Sequence, residues 1–319
     1  MANTRDLRRR IKSIKNTRKV TNAMEVVSAV KMKKAIAAVL AVRAYAHAAW
    51  SVLTDIAQGF LPNQHELLAV RDVKKVLLIV ITSNKGLCGS FNAQIFKKVR
   101  EELLAPDKLL TNRVGARRVA SSTPKEKLVV DFVTVGKKGE RFVRSLNKDI
   151  IASFPQLNYN PTVDAVRPLS HLVIDAYTDR HYDKVAMVYT DFVNPVVQQL
   201  KIRQLLPVSR IDLEKQLAEM DVLAREYGLS EQQIAYAAEP SEEEALSEIF
   251  PRLIEVQLYH AILESNASKE SARMVAMRNA TEAAGDIIDD LTLAYNQLRQ
   301  SKITQEILEI SAGRAALEG

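Results

Sequence analysis

The stretch SARMVAMRNATEAAG, residues 271–285, has no proline and no aromatic residue, and its larger apolar side chains, Met274, Val275 and Met277, stand among alanines, two arginines and a threonine. Its period decides the fold. Read outward in both directions, Leu253, Val256, His260, Leu263, Ala267, Glu270, Met274, Met277, Thr281, Ala284, Ile288, Leu291, Tyr295 and Leu298 are spaced three and four residues apart in alternation, and eleven of the fourteen are apolar. The same spacing runs through Leu7, Ile11, Ile14, Arg18, Thr21, Glu25, Ser28, Met32, Ala35, Val39, Val42, Ala46, Ala49, Leu53, Ile56 and Phe60, of which twelve of sixteen are apolar. A sustained 3.5-residue period imposes a left-handed coiled coil. Few breakers oppose it: the first glycine is Gly59, the first proline Pro62, and no proline follows Pro251. At about 1.5 Å per residue each helix would run roughly 80–90 Å, more than a compact domain contains, so the two ends are expected to pair with each other and protrude. Four consecutive polar positions, Arg18, Thr21, Glu25 and Ser28, exceed what register requires and predict a stretch that is poorly zipped or faces another surface.

The middle of the chain has a different grammar. KKVLLIVIT (74–82) is a continuous apolar run, as in a strand buried on both faces. FNAQIFKKVREELL reads as a helix, KLVVDFVTV (127–135) as a strand, GKKGERFVRSL and DAVRPLSHLVIDAYT as helices, and KVAMVYTDF (184–192) and VVQQLKIRQLLPV (196–208) as strands about the Asn194-Pro195 turn. Strands alternating with helices predict an α/β sandwich. Residues 109–127 read as a mobile surface loop. The fold expected is therefore α/β: a long antiparallel coiled coil of terminal helices (1–60 and 251–316), a Rossmann-like globular domain (70–207) and an acidic, mainly helical connector (209–250) around Pro240.

Composition narrows the function. No run of about 18 uncharged apolar residues exists, so no membrane span is expected, and the basic N-terminus has no apolar segment behind it, so it does not read as a secretory signal. One cysteine, Cys88, excludes an intramolecular disulfide, and the five scattered histidines lack ligand spacing, so no metal site is expected. The net charge of +7 is uneven: residues 1–43 hold 12 Lys+Arg against 2 Asp+Glu, leaving 33 against 36 for the rest. That basic arm is either solvated or meets something acidic. Nucleic acid is one candidate partner, but no aromatic residues interleave the charges. ITSNKGLCGSFN (81–92) follows a strand and opens a helix, where α/β proteins place ligand loops. It lacks both G-x-G-x-x-G and G-x-x-x-x-G-K-[ST], and a tight strand-to-helix turn is the simpler reading of Gly86 and Gly89. Cys88 has no histidine near it in sequence and reads as an inert thiol. No catalytic constellation and no cofactor motif emerge.

Taken together, RRRIKSIKNTRKVTNAMEVVSAVKM (8–32), TSNKGLCGSFN (82–92), ESARMVAMRNATEAA and YNQLRQSKITQEILEI (295–310) resemble the γ subunits of F-type ATP synthases, across essentially the whole chain. Asn84 and Lys85 stand where that family usually has Asp-Arg. The resemblance implies a non-catalytic central rotor shaft that couples proton-driven rotation of the c ring to the conformational cycle of the catalytic β subunits. It implies three α and three β subunits, the ε subunit and the c ring as partners. It also implies no nucleic acid, membrane contact only through the Fo ring, and a peripheral place on the cytoplasmic side of a bacterial inner membrane. Carried over by motif, Met24, Arg273, Arg299, Gln300, Thr304, Gln305 and Glu306 would be rotor–stator contacts, and Tyr236 and Glu239 would meet the c ring. The family's plastid members carry a regulatory cysteine pair; with Cys88 alone, no such switch is expected.

Overall fold

The computed structural model describes residues 4–56, 66–114, 117–158, 161–209 and 242–318, with positions 218, 222 and 225; side chains at 43–56, 114–118, 158, 242–248 and 315–318 are outside the description. The chain falls into two compact units, residues 1–29 with 273–319, and residues 30–272.

The larger unit is built on a five-stranded sheet. Its strands are β1 (Lys75–Ile81), β4 (Val129–Val135), β5 (Ile150–Ser153), β6 (Lys184–Phe192) and β7 (Gln198–Leu206), in the order β5-β4-β1-β6-β7. The first four are parallel and β7 returns antiparallel to β6. Every residue of β1 after Lys75 is buried, as its unbroken apolar run requires of a central parallel strand. Helices α2 (Phe91–Leu104) and α4 (Lys137–Ser145) follow β1 and β4 as the sheet grows in one direction, so right-handed crossovers place them on one face. Phe96 and Phe142 stack there, their ring centroids 4.2 Å apart. Helix α5 (Val163–Thr178) precedes the reversal to β6 and buries Val166, Leu169, Val173 and Tyr177. The Tyr177 hydroxyl donates to the Ala69 carbonyl at 2.6 Å, and Arg71 lies over the tyrosine ring.

Two readings of the sequence change. Within 109–127, read from the sequence as a mobile surface loop, the described residues 109–114 and 117–127 carry regular elements. A short helix α3 (Asp107–Leu110) leads into an antiparallel hairpin, β2 (Thr111–Val114) and β3 (Arg117–Ala120). Its two ends are tied to distant residues. Gln204 accepts from the Arg113 amide at 2.9 Å and donates to the Arg113 carbonyl at 3.1 Å. Asp72 accepts from the Ser122 amide at 2.8 Å and from the Ser121 and Ser122 hydroxyls at 2.5 and 2.6 Å. Those bonds, the Ser121 hydroxyl's first, with a longer one from Thr123 at 3.4 Å, hold the Asp72 carboxyl down at about 2. The second change concerns the last helix. It begins at Glu242 and runs through Pro251 to Glu318, here called α6. A proline inside a helix removes one backbone bond. Phe250, Leu253 and Ile254, all buried, hold the segment around it.

The first helix, α1, spans Thr4–Ile56. In the larger unit its described part buries Met32, Ala35, Ile36 and Val39, one helical stripe. Residues 253–271 of α6 are buried on every side, including the polar run ESNASKES (264–271). The 3.5-residue seam alone does not announce that enclosure.

Candidate functional site

The smaller unit contains residues 4–29 of α1 and α6 from Arg273 onward. Leu7, Met277, Ala284 and Ile288 are buried, with Ile11, Ile14, Leu291, Tyr295 and Leu298 half-buried, so the predicted seam is the packed one. The pairing is antiparallel. Arg18 lies against Gly285, Thr21 against Thr281 and Glu25 against Arg278.

Those contacts overturn the expectation of a poorly zipped stretch. Thr281 donates to the Thr21 hydroxyl at 2.7 Å, and Thr21 donates on to the Arg18 carbonyl at 3.0 Å. Arg278 Nε meets Glu25 Oε1 at 2.9 Å. Two of the four polar positions zip by pairing across the seam, Thr21 with Thr281 and Glu25 with Arg278, and each pair fixes the register at its own level. Arg18 lies across α6 at Gly285, where a Cβ would stand at an ordinary contact distance of 3.7 Å from the guanidinium carbon.

Beside this seam lies a cleft of about 810 Å³, with Arg8, Lys12, Lys15, Arg18 and Lys19 along one side and Ile11, Thr281 and Ile288 among its other lining residues. Among the described residues no carboxylate lines it. Val20, Val26 and Val27 are exposed, at 57%, 59% and 52%. These three valines lie off the 3.5-residue stripe, which alone does not point to them.

The register continued from those pairs brings Thr4 level with about residue 299 of α6. Past that level α6 has no described α1 residue beside it, and residues 299–314 are all exposed, including Ile303, Ile307, Leu308 and Ile310. Of the residues singled out by motif, Arg299, Gln300, Thr304, Gln305 and Glu306 stand on this bare segment. Gln305 donates to Glu309 at 2.9 Å, and Lys302 lies 3.9 Å from Glu306. Met24 and Arg273 are half-buried in the coiled portion. Tyr236 and Glu239 lie outside the described residues.

The polar groups of the 82–92 loop are used within the loop and on the segments beside it. Ser83 donates to the Lys85 carbonyl at 2.7 Å, and its amide donates to Asn92 at 3.1 Å. Asn84 donates to the Pro155 carbonyl at 2.8 Å and accepts from the Lys137 amide at 2.9 Å. Cys88 is buried and accepts from Asn92 at 3.2 Å. Thr82 packs so closely that a Cβ at Gly136 would sit 2.3 Å from its carbonyl oxygen. This is a turn locked to its neighbours, with Ala272 of α6 packed against the adjoining core.

The model of a family described as ATP synthase matches residues 3–317. The ATP synthase gamma chain of Pelotomaculum thermopropionicum is 38% identical over 318 residues, covering 100% of both chains. That of Roseiflexus sp. strain RS-1 is 39% identical over 99% of each. Among solved structures, the fold is similar to a chain from the Euglena gracilis mitochondrial ATP synthase rotor, with a TM-score of 0.59 and 15% identity over 94% of this chain and 98% of that one. A chain of the Tetrahymena thermophila central stalk and c ring gives a TM-score of 0.53 at 24% identity, covering 82% of this chain and 99% of that one. With a family model spanning nearly every residue and full-length relatives above 30% identity, this chain belongs to the ATP synthase gamma chain family.

Proposed function

We propose that this chain is the central rotor shaft of a bacterial F1Fo ATP synthase, a non-catalytic subunit that couples rotation of a proton-driven c ring to the conformational cycle of the catalytic β subunits. One observation carries the reading within this family. The two terminal helices pair through a polar, register-fixing seam and leave a basic cleft and a bare, partly apolar helix end that their own packing does not use. A shaft works by binding one state of each surrounding subunit better than the others, which requires such unspent surface. Met24, Arg273, Arg299, Gln300, Thr304, Gln305 and Glu306 are the proposed rotor–stator contacts, and Tyr236 and Glu239 the proposed c-ring contacts. The partners are three α and three β subunits, ε and the c ring. Solved chains of similar fold come from assemblies described as a rotor and as a central stalk with a c ring. The proposed location is the cytoplasmic side of the inner membrane, reached through the ring; among the described residues no helix is long and apolar enough to cross a membrane.

The test is direct. This chain, carrying a bead, is assembled with α and β subunits of the same enzyme and observed under ATP. Stepwise rotation in one direction is expected, and none from the chain alone. An assembled, hydrolysing complex whose bead stays still would overturn the shaft reading.

A further inference from the structure

Where α6 passes β6 and β7, the larger unit encloses a cluster of ionisable side chains that the shaft function does not call on. Asp191 of β6 and Glu264 of α6 have side chains 8% and 5% exposed, and their carboxyls lie within hydrogen-bonding reach of each other. Lys201 of β7 forms an ion pair with Asp191. His260, one turn before Glu264, places Nδ1 3.5 Å from Glu264 Oε2 and is 1% exposed. Arg203 lies over the Tyr189 ring, 5.8 Å from its centroid, and its charge acts on both Glu264 and His260. Among the described residues α1 adds no buried charge here, since Lys31, Lys33 and Lys34 are exposed.

We infer that Glu264 and Asp191 form a carboxyl pair that binds a single proton at the joint between the C-terminal helix and the β6–β7 hairpin. Two carboxyl oxygens in hydrogen-bonding contact need a hydrogen between them, and two enclosed carboxylates that close repel. Lys201 settles which carboxyl is ionised: its ammonium stabilises Asp191 as the anion, so the hydroxyl belongs to Glu264 and points at Asp191. Burial, followed by the charge of Asp191, pushes the Glu264 carboxyl well above its ordinary range. His260 does not supply the positive charge instead, because burial drives its pKa down to about 3 and leaves the imidazole neutral. The sequence motifs gave no hint of this pair, whose members are 73 positions apart.

The docked helix holds a proton that the opened segment releases above the ordinary glutamate range. Docking is therefore strongest at low pH on account of this pair, and weakens as pH rises, by up to about tenfold in the local opening constant per pH unit.

The experiment uses the full chain. Infrared spectra of protein labelled with 13C in glutamate side chains are recorded from pH 5 to 10. A band from a protonated glutamate carboxyl is expected at neutral pH, absent in Glu264→Gln, whose amide still donates to Asp191. Hydrogen exchange over residues 258–270 then compares the two proteins. The excess opening of the wild type at high pH should vanish in Glu264→Gln. The labelled wild type alone decides the matter should the variant fail to fold: a protonated glutamate band that persists at neutral pH and titrates together with local opening supports the pair. No such band at neutral pH, or one unchanged in a folded Glu264→Gln, would show that Glu264 carries no proton and overturn the inference.

Discussion

Two kinds of glycine stand in this chain, and geometry assigns them opposite roles. Gly285 lies mid-helix at ordinary backbone angles, where a Cβ would meet only the Arg18 guanidinium at 3.7–3.9 Å, a normal contact. Removing a glycine's freedom from a helix interior gains roughly 0.5–1 kcal/mol. Gly285→Ala should therefore raise thermal stability slightly while keeping the Arg18 crossing. Gly136 sits at φ +105° with the Thr82 carbonyl oxygen 2.3 Å from where a Cβ would stand, so Gly136→Ala must shift backbone against backbone. A loss of at least ~2 kcal/mol is expected in denaturant unfolding. Equal effects of the two changes would contradict the close packing of β1 and β4 at their carboxyl ends. His260 supplies a third test at this scale. Its pKa is lowered from 6.5 to about 3, chiefly by burial. The unfolded chain therefore binds the extra proton between those values. Its contribution to stability is present above 6.5 and lost as pH falls toward 3, by up to ~1.4 kcal/mol per pH unit. His260→Gln, close in size and unable to titrate, should flatten the acid side of the stability profile. An unchanged acid limb would mean that the imidazole is solvated.

At the scale of elements, what the sequence disclosed and what it hid follow from range. The strands β1, β4, β6 and β7 and the helix α2 are legible because their signals are local: unbroken apolar runs, turn residues at their ends, a 14-residue helical pattern. β5 has four residues at a sheet edge, too few to show a period. The β2–β3 hairpin escapes because Arg113, Arg117 and Arg118 break its alternation and its anchors, Asp72 and Gln204, lie 49 and 91 positions from the residues they hold. The same holds at the seam. Thr21 and Glu25 look like flaws until Thr281 and Arg278 stand beside them, 260 and 253 positions away. The stripe was visible in one sequence; the pairing across it was not. For the hairpin this gives a concrete expectation. Asp72→Asn keeps the size but surrenders the charge that four donors share, from Ser121, Ser122 and Thr123, so the 121–123 end of the hairpin should open more often. Trypsin should then cut after Arg117 or Arg118 severalfold faster at neutral pH, with the sheet's melting temperature little changed. Unaltered cleavage would show that Asp72 does not hold that end of the hairpin.

For the whole molecule the decisive asymmetry is charge. Residues 1–43 carry 12 basic against 2 acidic side chains in a protein otherwise slightly acidic, and five of those cations line one cleft of the coiled unit. Packing the arm into α1 does not require them, since basic residues near a helix N-terminus oppose its dipole. Lys12, Lys15 and Lys19 are all exposed, so replacing them with glutamine leaves the seam intact. If the cleft receives acidic loops of a surrounding subunit, its field steers the encounter, and steering of that kind is screened over about 10 Å at 0.1 M salt. The triple variant Lys12→Gln, Lys15→Gln, Lys19→Gln should therefore enter an α3β3 ring about tenfold more slowly at low ionic strength. The gap should close as salt is raised, while helix content and melting temperature stay near those of the parent chain. Assembly followed by stopped-flow fluorescence across a salt series reads both quantities at once. A rate deficit that persists undiminished at high salt would mean that the lysines act through contact geometry rather than through their field, and no deficit at low salt would leave the basic arm without the acidic partner proposed for it.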